Sequence, residues 1–177
     1  MPRLSPHPRV RVPTTILAVD PGTKHLACCV HNGQIRAATF QPVRQVKGAR
    51  TEHVLDDLRR FSRKFGKILD LVQPDACVFE RFMYRPGLGL AGEFINMLIG
   101  MLVDECDSRK IEVLLVMPAQ HKTWMKRRYG CDPQEYRPFA KLKTEHERDA
   151  ASIALFVKKE WYQRSHELLA AAEAKED

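Results

Sequence analysis

Thr14-Thr15-Ile16-Leu17-Ala18-Val19-Asp20-Pro21-Gly22-Thr23 is an apolar, β-branched run that ends in a carboxylate and breaks at once into a Pro-Gly turn. It predicts a buried strand over residues 15–19, with Asp20 at its mouth, held by a rigid element and facing open space. A second run, Ala76-Cys77-Val78-Phe79-Glu80, ends the same way. A third acid, Asp149, lies in His146-Glu147-Arg148-Asp149 at the head of an apolar-periodic segment. Each acid has a plainer use. An Asp before Pro-Gly forms turns, Glu80 can pair with Arg81 or Arg85 on the surface, and His146 and Asp149 can serve the first turn of a helix. Their conjunction is harder to explain that way. Glu80 follows four mostly apolar residues, and a buried, unpaired carboxylate is costly.

Working outward, strands are predicted over residues 26–31 and 34–40, joined by the hairpin signal Asn32-Gly33. A helix follows over 52–72, with Thr51 as N-cap and an apolar stripe from Val54 to Val72 at helical spacing. Pro74 stops it. After the strand ending at Glu80 come a helix over 90–107, with Phe94, Met97, Leu98, Met101 and Leu102 on its apolar side, and a strand over 111–117. The unbroken run from Val113 to Met117 predicts that this strand is buried on both faces. A helix over 118–128 opens on Pro118, which suits a first turn. Residues 129–143 read as loop. A last helix starts near Thr144 and fades toward residue 177. The order β-β-β-α-β-α-β-α implies an α/β fold, a mixed five-stranded sheet flanked by helices. One domain over 14–177 is expected from the length, behind a flexible basic arm over 1–13.

The net charge is +7, and all of the excess lies in residues 1–50, which hold eight basic residues and a single acid, Asp20. That asymmetry fits a polyanionic partner, with ordinary solubility charge as the alternative. The five cysteines form no C-x-x-C and their number is odd, so a reduced, cytoplasmic protein without a structural zinc site is expected. The first thirteen residues contain four prolines and three arginines and no apolar core, so no secretory leader is expected. No apolar run approaches the ~18 residues that span a membrane.

Carboxylates are hard oxygen donors, the kind Mg²⁺ and Mn²⁺ prefer. Two such ions ~3.5–4 Å apart can activate a water and stabilise the leaving oxygen of a phosphodiester. Several acids must converge to hold them. We assign Asp20 to both ions, Glu80 to one, and His146 with Asp149, three apart on one helix face, to the other. The stretch Lys122-Thr123-Trp124-Met125-Lys126-Arg127-Arg128-Tyr129 interleaves positive charge with aromatics, as phosphate neutralisation and base stacking require. A core position for Trp124 is equally compatible.

At these residues the chain resembles the RuvC family of Holliday-junction resolvases, within the RNase H-like superfamily. Members open with a strand ending in D-P-G-T, as at residues 16–23. A second acid ends a strand before a mobile loop, as in Val78-Phe79-Glu80-Arg81-Phe82-Met83. A long helix containing a glycine matches Ile99-Gly100-Met101, a Q-x-K helix matches Pro118-Ala119-Gln120-His121-Lys122, and H-x-x-D-A matches His146 to Ala150. D-P-G-T alone is a weak signal; the ordered set over residues 14–160 is strong. The resemblance implies an RNase H-like fold and a metal-dependent endonuclease that cuts four-way or branched DNA by paired symmetric nicks. It implies a homodimer through the helix near 90–107, and phosphate contact by Lys122, with Lys141 and Lys143 as further candidates. The family often has an aromatic three residues after the second acid, where this chain has Met83; Phe82 and Tyr84 flank it, and either can stack on a base. Arg81 and Arg85 are added as candidate DNA contacts. The shorter segment before His146 and the basic arm imply a divergent member, in keeping with a phage origin.

Other readings compete. Thr23-Lys24-His25 also resembles the opening of YqgF-like nucleases, which process RNA. A sugar-kinase or actin-like ATPase shares D-x-G-T but needs two such domains, more than 177 residues provide. A non-catalytic junction-binding module would retain affinity without metal-dependent nicking.

Overall fold

The computed structural model describes residues 13–44, 51–81 and 89–161, with 89, 90 and 161 in backbone alone. The run before Pro21 forms β1 (Ile16–Asp20). β2 (Leu26–His31) pairs with it antiparallel, and β3 (Ile35–Phe40) pairs antiparallel with β2. Gly33 takes a φ of 98° in the turn between them, which a residue with a Cβ resists. α1 (Thr51–Val72) crosses to β4 (Ala76–Glu80), parallel beside β1. α2 (Gly89–Asp107) crosses to β5 (Glu112–Val116), parallel beside β4. The strand order is β3-β2-β1-β4-β5. α3 (Pro118–Tyr129) and α4 (Glu145–Phe156) follow. The mixed five-stranded α/β sheet expected from the sequence is present.

Strand alternation divides the core in two, and this division positions the site. Leu17 and Val19 of β1, with Cys77 and Phe79 of β4, pack against Leu58, Phe65 and Leu69 of α1 and Leu98 and Leu102 of α2. Ile16 and Ala18, with Val78, face the other way, toward Ala150, Ile153 and Ala154 of α4. Small residues on both sides, Ala18 and Ala27 against Ala150, Ala151 and Ala154, let α4 lie close on the sheet. Successive strand residues alternate faces, so Asp20 and Glu80 share the α4 face. At the opposite strand ends, one oxygen of Asp75 accepts from the backbone N–H of Thr14 and Thr15 and from the Thr14 hydroxyl, at 2.6–2.9 Å. That clamp fixes the start of β1 against the start of β4.

Several expectations are corrected. β5 is an edge strand, not one buried on both faces: Leu115 is 49% exposed and only Val116 is fully covered. An apolar run cannot distinguish a central strand from an edge strand whose outer face is left open. Thr51 is the first residue of α1 rather than its cap. Met97 is 40% exposed, off the buried Leu98–Leu102–Cys106 line of α2. The segment 129–143 is not all loop. A 3-10 turn, Arg137–Phe139, buries Phe139, and the rings of Tyr129, Tyr136 and Phe139 pack in series, the first pair tilted and the second edge-on, with centroids 4.5 and 4.9 Å apart. After α4 the helix widens into a π turn, Val157–Trp161. All but the last residue of the basic arm expected over 1–13, together with residues 45–50, 82–88 and 162–177, lie outside the described residues. Among the described residues no helix is long and apolar enough to cross a membrane, and all five cysteines are unpaired.

Candidate functional site

Asp20 and Glu80 end neighbouring parallel strands, so their carboxyls meet at the carboxyl edge of the sheet, sharing a hydrogen bond. The turn after Asp20 depends on Gly22, because a Cβ there would run into the His25 carbonyl oxygen. α4 enters the same edge from above. Its N-cap is Thr144, whose hydroxyl accepts from the Glu147 N–H at 3.1 Å. One turn in, His146 bonds Asp20 (Nδ1 to Oδ2, 2.8 Å), with the His25 ring stacked on it at 5.6 Å. Asp149, on the same face of α4, accepts from Lys122 of α3 at 2.9 Å and from the Gln134 amide at 3.0 Å. α3 is itself fixed at its start by Gln120, whose side chain accepts from the Met117 N–H at 2.7 Å. The four acid and imidazole positions singled out in the sequence therefore converge, together with Lys122.

The cluster is short of positive charge. Burial first, then the neighbouring Glu80 and Asp149, push the Asp20 carboxyl up to about 9. Burial, the largest influence, would raise Glu80 as well, but His121, Asp20 and Lys122 together outweigh it and hold Glu80 below the usual range. Burial alone would lower Lys122; its hydrogen bond and ion pair with Asp149 hold it above the ordinary lysine value. Asp20 and Glu80 therefore titrate as a pair, with burial and their mutual repulsion favouring one proton held between the two acids. The donor chemistry fits a hard divalent cation. In this arrangement the carboxyls are turned onto proton donors, and no group of three or more His, Cys, Asp or Glu among the described residues stands ready to hold a metal.

The basic candidates fall into two sets. Lys122 faces the acids. Lys126, Arg127 and Arg128 lie on the last turn of α3, exposed, with Lys126 paired to Asp132 at 3.3 Å. Lys141 and Lys143 are exposed before α4, and Arg81 is exposed immediately after Glu80, its backbone N–H bonded to the Val116 carbonyl at 2.8 Å. Phe82, Tyr84 and Arg85 lie outside the described residues, as does Met83. Trp124 is a core residue: it is 8% exposed, edge-on to Tyr129 and Phe156, and donates its indole N–H to Glu160 at 3.2 Å. It is not available to stack on a base.

Sequence reading passed over four residues. His121 is fully buried between Glu80 and Ser152. Glu147 is buried and anchors α4, accepting from the Lys143 N–H at 2.7 Å and the Thr39 hydroxyl at 3.2 Å. Thr144-x-x-Glu147 is a capping signature that could have shown the latter. Gln134 and His25 carry no sequence signal, because their roles depend on loops folding back.

No protein-family model matches the chain, and no curated protein matches it by sequence. Solved structures do match. Thermus thermophilus RuvC in complex with a Holliday junction substrate superposes with a TM-score of 0.61 at 16% identity, over 86% of this chain and 96% of that one. The yeast mitochondrial Holliday junction resolvase Ydc2 gives 0.58 at 15% identity, over 82% and 80%. The fold is RuvC-like. This RuvC-like fold spans nearly the full length of the bacterial protein, and the resemblance read from D-P-G-T, Q-x-K and H-x-x-D-A extends to three dimensions.

Proposed function

We propose that this chain is a metal-dependent, structure-selective endodeoxyribonuclease that resolves four-way or branched DNA junctions by paired symmetric nicks. The observation that carries the reading is the meeting of Asp20, Glu80 and Asp149 at one sheet edge, where burial first and then the neighbouring acids push Asp20 up to about 9. Acids buried against one another are costly to a fold, and a bound cation would offset that cost. Asp20, Glu80, Asp149 and His146 would hold two Mg²⁺ or Mn²⁺ ions, which supply Lewis acidity and an activated water at the scissile phosphate. Lys122 sits where its ammonium can meet a phosphate oxygen beside the acids. His146 is tied through Nδ1 to Asp20, with Nε2 4.0 Å from the exposed Glu145. Water adds to phosphorus and the 3′ oxygen leaves, so a 5′-phosphate and a 3′-hydroxyl remain for ligation.

Lys126, Arg127, Arg128, Lys141, Lys143 and Arg81 supply the phosphate contacts that hold a junction arm, with Phe82, Tyr84 and Arg85 in the adjoining segment. A homodimer through α2 accounts for that helix's composition. Beyond its buried line it presents Phe94, Ile95, Met97, Ile99 and Val103, partly or largely uncovered, and two subunits would set two sites on opposed strands. The domain would run over 14–177 with the basic arm ahead of it. The deciding experiment is cleavage of a labelled four-way junction against matched duplex, with Mg²⁺, Mn²⁺ or EDTA, mapping cuts on all four strands. Paired nicks that vanish in EDTA support the proposal. Junction binding without nicks replaces it with a binding module, and cleavage of branched RNA in preference replaces it with a YqgF-like activity.

A further inference from the structure

His121 lies inside the molecule with no solvent exposure, and both of its ring nitrogens are engaged. Nε2 is 3.1 Å from Oε1 of Glu80 and Nδ1 is 2.9 Å from the hydroxyl of Ser152. A carboxylate oxygen accepts, so in this contact Nε2 bears the hydrogen and donates it. In the neutral ring Nδ1 is left as an acceptor, which the Ser152 hydroxyl fills. Ser152 is likewise fully buried, on α4, so the chain Ser152–His121–Glu80 joins α4, α3 and β4. Neither residue touches the open side of the cluster. A buried polar pair of this kind is costly unless every group is satisfied, and here Ser152 and Glu80 engage the two ring nitrogens of His121.

We propose that His121, set by Ser152, is a positioning residue that fixes the Glu80 carboxylate in the rotamer and lone-pair orientation needed to hold a divalent cation. The arrangement is that of a carboxylate ligand hydrogen-bonded through one oxygen by a buried imidazole. The helix register supports the assignment. His121 and Lys122 are adjacent on α3; one reaches Glu80 from beneath and the other reaches Asp149 from the open side, so one helix turn sets two of the three acids. The inference rests on the metal-dependent reading of the site.

The test is Mn²⁺ binding, measured by titration calorimetry and by the loss of the free-ion electron paramagnetic resonance signal, alongside junction affinity in EDTA. Wild type is compared with His121→Phe, His121→Gln and Ser152→Ala. His121→Phe keeps ring volume but removes the donor, and should weaken Mn²⁺ by roughly 10–100-fold with junction affinity in EDTA unchanged. His121→Gln can place an amide N–H where Nε2 stood and should recover most of the loss. Ser152→Ala, the mildest change, should give a smaller loss and covers the case in which the phenylalanine variant fails to fold. Wild-type Mn²⁺ affinity in folded His121→Phe and Ser152→Ala would overturn the positioning role. Wild type that binds no Mn²⁺ at all would instead overturn the metal-dependent function on which it stands.

Discussion

Replacing Asp20 by Asn should abolish cleavage and, in the absence of metal, make the protein more stable. In the unfolded chain an aspartate with a pKa of 3.8 is ionised at neutral pH, whereas in the fold burial, Glu80 and Asp149 push Asp20 up to about 9. Folding therefore takes up a proton. Stability is fully present below the unfolded value, falls as pH rises through the window between 3.8 and about 9, and levels off above it. At about pH 7.5 the full effect is roughly 5 kcal/mol at ~1.4 kcal/mol per pH unit. Glu80 titrates jointly with Asp20, and Lys122 offsets part of the charge, so we expect about 2–3 kcal/mol in practice. Asn imitates the protonated acid: its amide can donate to Glu80 and its carbonyl can accept from His146. The assay is urea unfolding in EDTA at several pH values, then in Mg²⁺. Asp20→Asn should exceed wild type by a margin that widens from about pH 5 to pH 8, or about 5–10 °C in Tm at neutral pH. Added Mg²⁺ should raise wild type and close the gap by binding only the native state. A folded Asp20→Asn protein that is no more stable than wild type in EDTA across this range would refute the charge-deficit reading of the cluster.

Further outcomes are specific to single contacts. Thr144→Ala removes the cap acceptor of α4 and should cost about 1 kcal/mol in urea unfolding. Leu98→Ala, at a fully buried position between α2 and the sheet, should cost about 3 kcal/mol in the same assay. Lys122→Met should slow junction nicking and lower metal-free stability, because Asp149 loses its ion pair and Asp20 loses a nearby cation; equal nicking rates would remove Lys122 from the site. Met97→Glu changes an exposed position, so it should leave monomer stability near wild type while lowering the mass seen by light scattering.

The fold was legible where local and global signals agreed. β2 begins and ends at the expected residues, and α1, α2 and α3 differ from expectation by a residue or so, because periodicity, Pro74, Pro118 and the Asn32-Gly33 turn all act within a few residues. β5 was misread because its neighbours decide its exposure: Val113 to Met117 has the composition of a central strand, and nothing local says that the sheet stops there. The aromatic series Tyr129–Tyr136–Phe139 was missed for a related reason. Its spacing matches neither the strand nor the helix period, so only the folded segment shows the rings in contact.

The site poses a harder question, since the chain has many acids and three of them were singled out by their position at strand ends and a helix start. The structure offers a physical criterion that the sequence lacked. Asp75 takes three donors from Thr14 and Thr15, two of them backbone N–H groups. Glu147 takes the Lys143 N–H and the Thr39 hydroxyl, and Asp57 takes the Arg44 N–H and its guanidinium. Each of these acids is held by at least one backbone N–H, with a hydroxyl or a guanidinium added, and they answer to the plainer uses of a carboxylate: turns, caps and pairs. Asp20, Glu80 and Asp149 are different. Their partners are side chains alone: imidazoles, an amide, a lysine that is two-fifths exposed, and each other. Carboxylates that fold only to build structure have no reason to face one another at a sheet edge without a backbone donor. That difference in partners, more than the D-P-G-T motif, sets Asp20, Glu80 and Asp149 apart from Asp75, Glu147 and Asp57.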